Sequence, residues 1–205
     1  QGVHVVGLDV CPEMLRVAKK KARGIANVRW VQRDMRSFEL RERFGVILIP
    51  GHSFQNLLTP EDQASCLSAC VKHLVAGGRL VIHVDHPEVD WLGGLVKEGG
   101  GAFSDAERFV HPVTGRRIRT SRAWSYEAHT QTAIQETIWE ELDADGGVAN
   151  RWESGPIRIH CVFRHEMEHL LARAGLVVDG VFGDFLGGEL AECSSEMIWL
   201  ARRQE

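Results

Sequence analysis

The chain has 205 residues and a mass of 22.9 kDa, enough for one domain or for one domain with an attached lobe. Hydrophobic residues make up 44% of it and charged residues 25%, a balance that is typical of globular proteins and excludes disordered and fibrous classes. The net charge of −4 comes from interspersed residues of both signs, so no basic patch indicates a nucleic-acid or membrane partner.

The first half of the chain alternates predicted strands and helices. Apolar, β-branched runs predict strands at residues 3–9, 28–32, 45–49 and 80–84. Helices are predicted to begin at Pro12 and Pro60, and Gly77-Gly78 is predicted to end the second one. Such alternation is typical of a parallel sheet that is covered by helices on both faces.

The second half has a different pattern. Polar and apolar residues alternate over 117–127, 132–142 and 149–161, with a hairpin turn at 145–147, so residues 103–162 are predicted to form an inserted antiparallel β layer. A helix at 164–174 and strands at 176–183 and 194–202 follow. The predicted fold class is α/β: a doubly wound, Rossmann-like, mostly parallel sheet with an antiparallel last strand. We expect a single domain over 1–205, with its core in 1–102 and 163–205.

Polar residues follow the predicted parallel strands, at the edge where open α/β sheets bind ligands. Asp9, Asp34 and Asp85 stand at three of these strand ends, and the loop Pro50-Gly51-His52 stands at another. A carboxylate after such a strand commonly accepts both hydroxyl hydrogens of a ribose. For Asp9 the alternative is that it caps the helix that follows.

Several segments together resemble the class I S-adenosylmethionine-dependent methyltransferases. VGLDVCPEML at 6–15 is similar to the second-strand motif of that family, and QRDMR at 32–36 to its adenine-contacting motif. GVILIP at 45–50 resembles its fourth strand, and residues 74–82 resemble the segment that follows. Residues 168–176, 183–185 and 195–198 resemble its last helix and hairpin. The resemblance covers all of the chain except the insert.

The resemblance implies methyl transfer from S-adenosylmethionine, as cofactor, to the nitrogen or oxygen of a small-molecule acceptor. Asp9 would bind the ribose, and Asp34 with Met35 the adenine. The remaining cofactor-binding residues would be Val10, Met14, Pro50 and Gly51. His52 is the candidate catalytic residue, through a hydrogen bond to the acceptor or as a general base. No metal is assigned to this site.

The resemblance also implies a segment that this sequence does not contain. The family's first strand and its glycine-rich turn would lie upstream of Gln1, which is not an initiator methionine. We therefore expect the natural chain to be longer by on the order of 40–60 residues and the present chain alone to bind the cofactor poorly. The five scattered cysteines are typical of reduced thiols, and we expect a cytoplasmic protein.

The acceptor and the oligomeric state are not defined by the sequence. Five residues are candidates for lining an acceptor pocket under the β layer: Gln55, His86, Trp91, Trp124 and Tyr126. Core or interface roles for the two tryptophans are the alternative. Exposed strand edges of the insert make a homodimer possible.

Three other functions remain open at this stage. His165-Glu166-Met167-Glu168-His169 fits the H-E-x-x-H pattern of zinc hydrolases, with Glu189, Glu192 or Glu196 as a third ligand. Asp9 would equally suit a nicotinamide dehydrogenase. A non-catalytic interaction module that retains only a nucleotide-binding fold is the third alternative.

Overall fold

The structure is a computed structural model that describes residues 2–204. Gln1 lies outside the described residues, and so does the prediction that a further strand precedes it. The strands are β1 Val5–Asp9, β2 Val28–Gln32, β3 Phe44–Ile49, β4 Leu74–Asp85, β5 Ser104–Val110, β6 Arg117–Glu127, β7 Thr132–Leu142, β8 Val148–His160, β9 Leu176–Phe182 and β10 Glu196–Arg203. The helices are α1 Pro12–Lys21, α2 Pro60–His73, α3 Val89–Glu98 and α4 Arg164–Arg173, with a 3₁₀ turn at Ser53–Asn56.

The first two strands form a small parallel sheet. Val5 pairs with Val28 and Asp9 with Gln32, so the carboxyl ends of both strands lie at the same edge. The helix α1 connects them and has Pro12 in its first turn. Proline is tolerated there because the first N–H groups of a helix make no hydrogen bond within the helix.

A second sheet contains the main core and has the order β3-β4-β10-β9. β3 and β4 are parallel, whereas β10 is antiparallel to both of its neighbours. Fully buried apolar side chains from the sheet and from α2 and α4 pack together in one cluster, which includes Leu67, Leu80, Ile82, Met167, Leu171, Met197 and Trp199. The ends of β3 and β4 and the start of β10 therefore meet at one edge of a well-packed sheet.

The third sheet consists of β5, β6, β7 and β8 in sequence order, all antiparallel. β6 and β7 have the ranges that polar and apolar alternation predicts. β8 is the last strand of this sheet, and nearly all of its residues are exposed. It therefore presents a long edge without a strand partner among residues 2–204.

The structure differs from the sequence prediction in three respects. β4 begins at Leu74, so Gly77-Gly78 lie inside a strand and do not end a helix, and α3 was not predicted. The described residues also form three sheets, and no strand among them joins β1 to β3, which is where the resemblance places the family's first strand. β1 pairs with β2 and β3 with β4 in parallel, as predicted, but β1 and β3 are not buried as expected. Val46 and Leu48 are 55% and 62% exposed because no described element covers them.

No helix in the described part of the chain is both long and apolar enough to span a bilayer. All five cysteines are free thiols, of which Cys66, Cys70 and Cys161 are buried whereas Cys193 is exposed.

Candidate active site

The ends of β1 and β2 place Asp9 and Asp34 at the same edge of their sheet. Beyond the last paired residues, the N–H of Arg33 donates to the backbone carbonyl of Asp9 at 3.1 Å. Asp34 follows directly. One carboxylate oxygen of Asp9 accepts the N–H of Cys11 at 2.8 Å, so this side chain supports the start of α1. Asp9 thus has the capping contact of the alternative interpretation, and it also stands at the sheet edge where a ribose would bind.

The carboxylate of Asp34 is held by Arg36. The Arg36 Nε donates to Oδ1 at 3.0 Å and Nη2 donates to Oδ2 at 2.6 Å, while Nη1 donates to Asp62 on α2 at 3.0 Å. These hydrogen bonds keep the pKa of the Asp34 carboxyl below its usual value. Asp34 is therefore ionised at neutral pH. A ligand amino group that donates to its carboxylate must compete with the hydrogen bonds from Arg36.

Apolar side chains flank these two acids. Val10 and Met14 are 63% and 58% exposed beside Asp9, whereas Met35 packs partly against the main core. Exposed apolar side chains next to a carboxylate suit a ligand that combines a flat apolar ring with hydroxyl donors.

The loop after β3 has an unusual backbone. Gly51 and His52 both lie in the left-handed region, with φ of 63° and 61°. Glycine adopts this conformation freely, but histidine does so at a cost of about 1–3 kcal/mol. The His52 carbonyl accepts the N–H of Gln55 at 2.9 Å, which starts the 3₁₀ turn and fixes the direction of the loop.

The side chain of His52 meets His83 and Glu196. Its Nε2 lies 3.0 Å from Nε2 of His83 and 3.0 Å from Oε2 of Glu196, and His83 Nε2 lies 2.5 Å from the same Oε2. Asp85 Oδ1 is 3.4 Å from His52 Nε2. We name these three residues, His52, His83 and Glu196, the His-His-Glu cluster.

Protonation within the cluster follows from its neighbours. The N–H of Gly51 donates to Nδ1 of His83 at 3.2 Å, so the neutral ring carries its proton on Nε2 and donates it to Glu196. Burial acts to raise the pKa of the Glu196 carboxyl, but hydrogen bonds from His83 and His52 outweigh burial and lower this pKa. Glu196 is therefore an anion between two imidazoles.

Beside the cluster lies a cavity of about 990 Å³, bounded by the segment after β4, by α3 and by the loop before β10. Four of the predicted pocket residues, Gln55, His86, Trp91 and Trp124, line it. The rings of Trp91 and Trp124 pack edge to face at 5.4 Å. Tyr126 is not among the lining residues. It packs against a small apolar cluster of Leu92, Ala133 and Cys161, and burial there raises the pKa of its hydroxyl.

The cavity wall carries an excess of negative charge. Its carboxylates are Asp85, Glu88, Asp90 and Glu192, against the single guanidinium of Arg164. Unlike charges attract, and more strongly in a partly enclosed cavity than in bulk water, so this cavity favours a cationic ligand.

Two hydrogen bonds fix His86 at the wall of this cavity. Its Nδ1 donates to the carbonyl of Ser194 at 2.8 Å, and its backbone N–H donates to Ser195 at 2.9 Å. A neutral ring whose Nδ1 donates a proton has its lone pair on Nε2. His86 lines the cavity and is therefore a candidate general base.

The H-E-x-x-H segment is engaged in structural contacts. Glu166 Oε1 bonds His160 Nε2 at 2.8 Å, and Oε2 accepts from Gln131 at 3.0 Å and from the backbone N–H of Phe163 at 3.3 Å. His165 is exposed and pairs with Glu168 at 2.8 Å. In this arrangement Glu166 supports the start of α4, and both of its carboxylate oxygens accept hydrogen bonds from the fold.

The association of His83 with Glu196 is not predicted from the sequence. The sequence makes Glu196 a candidate only as a third ligand for the H-E-x-x-H segment, and it gives no signal for His83. The signal is the register of β10 against β4: Glu196 pairs with Asp85, which places His83 diagonally across from it on the same face of the sheet. This register depends on a pairing between distant segments.

The chain has an α/β Rossmann-like fold that solved methyltransferase structures share. The chain superposes on a S-adenosylmethionine-dependent methyltransferase from Clostridium acetobutylicum with a TM-score of 0.79 and 14% identity, covering 99% of this chain and 76% of that one. The CcbJ methyltransferase from Streptomyces caelestis superposes with a TM-score of 0.79 and 21% identity, and the match covers 100% of this chain and 76% of that one. CalS10, an amino pentose methyltransferase from Micromonospora echinaspora, superposes with a TM-score of 0.68 and 23% identity, and the match covers 98% of this chain and 74% of that one.

Residues 1–78 match the family model that describes a methyltransferase domain. No curated protein sequence matches the chain. The family match and the shared α/β Rossmann-like fold confirm the resemblance to class I S-adenosylmethionine-dependent methyltransferases. They indicate a methyltransferase enzyme with S-adenosylmethionine as its cofactor.

Proposed function

We propose that the protein transfers a methyl group from S-adenosylmethionine to the amino group of a small molecule. The observation that carries this proposal is the cavity of about 990 Å³, whose wall holds four carboxylates and one guanidinium. An amine arrives in water largely as a cation, and these carboxylates attract it. The neighbour CalS10 is by its name an amino pentose methyltransferase, which makes an amino sugar one candidate acceptor.

The strand ends of β1 and β2 fit adenosine. Asp9 would accept the hydroxyl hydrogens of the ribose through the carboxylate oxygen that does not bind Cys11, and Val10 and Met14 would pack beside it. Asp34 and Met35 would contact the adenine, with Arg36 giving up part of its hold on Asp34. Pro50 and Gly51 would form the floor near the reacting carbon. S-adenosylmethionine, when bound, supplies a methyl group that its sulfonium already activates.

The chain's own task in the reaction is alignment and proton removal. A protonated amine has no lone pair, so the acceptor must lose a proton before its nitrogen can attack. We assign the removal of this proton to Nε2 of His86, because no hydrogen bond from residues 2–204 engages its lone pair and it lines the cavity. We assign a hydrogen bond that holds the acceptor to His52, the catalytic candidate from the sequence, which Asp85 connects to the cavity wall.

The experiment that tests this function compares matched acceptors with the full-length protein. Amino sugars and their hydroxyl counterparts are incubated with S-adenosylmethionine, and formation of the demethylated cofactor is measured. We expect turnover with the amines only. Asp90→Asn and Glu192→Gln should each raise KM for the amine about fivefold, since each removes a charge worth about 1 kcal/mol at this range. Asp145→Asn, in an exposed hairpin turn, is the control. Turnover of the hydroxyl compounds alone would refute the amine assignment.

A homodimer through β8 is part of the same proposal. This strand is 13 residues long and exposed, and it has a free edge among residues 2–204. Pairing of two such edges would satisfy the free N–H and C=O groups of both strands. Sedimentation of the full-length protein, compared with an Ile157→Pro variant on this edge, distinguishes dimer from monomer.

A further inference from the structure

The His-His-Glu cluster brings together three metal-ligating atoms from three separate segments. His52 comes from the loop after β3, His83 from β4 and Glu196 from the first residue of β10. We propose that these three side chains bind a divalent transition metal ion of the Zn²⁺ or Co²⁺ type. The sequence assigned no metal to this place, and the proposal does not depend on methyl transfer.

Two of the three distances between these atoms match those of ligands on one face of a metal ion, and the third, between His83 and Glu196, must lengthen by a few tenths of an ångström when an ion binds. Nε2 of His52, Nε2 of His83 and Oε2 of Glu196 form a triangle with edges of 3.0, 3.0 and 2.5 Å. Ligands that each lie about 2.1 Å from a metal are about 2.9–3.4 Å apart in octahedral and tetrahedral sites. A point about 2.1 Å from all three atoms lies about 1.3 Å off their plane, which leaves the opposite side of an ion open.

The cluster is held in place by its surroundings. His83 is nearly buried within β4, and the ring of Phe185 packs edge-on against it at 4.8 Å. Glu196 lies in a strand that is hydrogen-bonded on both sides, and the left-handed backbone of His52 turns its side chain towards the other two. Ligands that are fixed before the ion arrives need little reorganisation to bind it.

Without an ion, the hydrogen atoms in the cluster are crowded. His83 donates its Nε2–H to Glu196, and Nε2 of His52 must also carry a proton to face the same oxygen favourably. Two such N–H groups on one oxygen, with 3.0 Å between their nitrogens, bring the hydrogens to about 2 Å from each other. A cation replaces both hydrogens and balances the carboxylate.

Metal binding requires both imidazoles to move their protons from Nε2 to Nδ1. His83 must release the proton on Nε2 and carry its proton on Nδ1, which gives up the hydrogen bond from the Gly51 N–H. That bond is long, at 3.2 Å, and Gly51 is exposed, so water can take its place.

The donor set selects the ion. Two imidazoles and one carboxylate suit Zn²⁺, Co²⁺, Ni²⁺ or Fe²⁺, whereas Mg²⁺ and Ca²⁺ prefer oxygen ligands only. Asp85, whose Oδ1 is 3.4 Å from Nε2 of His52, lines the cavity. An ion here would therefore take over from His52 the contact with a ligand in the cavity.

The test is a calorimetric titration of the full-length, tag-free protein after chelator treatment, with Zn²⁺, Co²⁺ and Mg²⁺ separately and without methyl donor or acceptor. We expect one Zn²⁺ or Co²⁺ per chain and no Mg²⁺. Glu196→Gln and His52→Gln should each weaken Zn²⁺ binding on the order of 100-fold, since even supporting residues around a metal are worth 10–100-fold. Circular dichroism confirms that both variants fold.

Two controls separate this cluster from other metal-binding groups. His165→Gln removes the first histidine of the H-E-x-x-H segment, and Cys193→Ser removes the exposed thiol. Both should leave Zn²⁺ affinity unchanged, and the Co²⁺ complex should lack a thiolate charge-transfer band. Absence of Zn²⁺ binding, unchanged affinity in Glu196→Gln, or loss of binding in either control variant overturns the proposal. None of these outcomes depends on methyl transfer, so each is distinct from failure of the proposed function.

Discussion

Glu196 stands opposite Asp85 where β10 pairs with β4, and its carboxylate reaches back to Nε2 of His83. This cross-strand relationship joins the last strand of the chain to the edge at which the ligand-facing residues lie. It places an anion next to His52 and connects that histidine, through Asp85, to the wall of an acidic cavity.

Asp9 is predicted to hold the ribose while it supports the start of α1. Asp9→Asn keeps an oxygen for the Cys11 N–H but removes the carboxylate, so it should weaken S-adenosylmethionine binding by about 1–3 kcal/mol with little change in stability. Asp9→Ala should weaken binding equally and also lower the unfolding free energy by about 1 kcal/mol, because the cap is lost. Calorimetric titration and denaturant unfolding of the full-length protein measure both. Unchanged affinity in the two variants would refute the ribose assignment.

His86 and His52 are predicted to affect different kinetic constants. His86→Gln removes the lone pair that takes the proton, so kcat should fall about 10²–10⁴-fold with little change in KM. Its amide can still donate to the Ser194 carbonyl. His52→Gln should mainly raise KM for the acceptor, since His52 is assigned to holding it. Steady-state kinetics over a range of acceptor concentrations separates the two effects, and a kcat that survives His86→Gln would contradict the assignment.

The left-handed backbone at His52 is predicted to cost stability. His52→Gly and His52→Ala remove the same side-chain contacts, but only glycine adopts a φ of 61° without strain. We expect His52→Gly to be about 1 kcal/mol more stable than His52→Ala, as measured by urea unfolding. Equal stabilities would mean that the loop relaxes and that the strain is not retained for function.

Glu166 is predicted to stabilise the fold in a pH-dependent way. Burial acts to raise its pKa, but hydrogen bonds from His160, Phe163 and Gln131 and the charge of His160 lower it below the ordinary value of 4.5. A carboxyl with a lowered folded-state pKa contributes stability above the unfolded pKa and loses it as pH falls through the folded value. Glu166→Gln should therefore destabilise by about 1–3 kcal/mol at pH 7, and the difference from wild type should shrink below about pH 4.5.

The matched control for Glu166 is Glu168 on the same helix. Its partners His165 and Arg164 are exposed, and such surface pairs contribute about 0–1 kcal/mol. Glu168→Gln should thus change the unfolding free energy little at any pH. A Glu166→Gln effect that is no larger than the Glu168→Gln effect would contradict the structural role of Glu166.

Much of the fold follows from local sequence pattern. The alternation of polar and apolar residues gives the ranges of β6 and β7, and proline at the first turn marks the starts of α1 and α2. Local pattern was wrong at Gly77-Gly78. There, pairing with β3 extends β4 back to Leu74 and overrides the tendency of glycine to end an element.

The candidate site was only partly predictable for the same physical reason. Asp9, Asp34 and His52 could be proposed because they follow strands directly in the chain. The association of His83 with Glu196 depends on the register between two distant strands, and local periodicity carries no information on register. Arg36 likewise contacts Asp34 through a side-chain geometry that the motif at 32–36 does not specify.

The central claim is that Asp9 and Asp34, from two neighbouring strand ends, bind one adenosine. The most direct measurement is a crystal structure of the full-length protein with the demethylated cofactor. We predict both ribose hydroxyls within about 3 Å of the Asp9 carboxylate, with the adenine against Met35 and its amino group towards Asp34. An adenosine bound elsewhere, or a ribose out of hydrogen-bonding reach of Asp9, would contradict the claim.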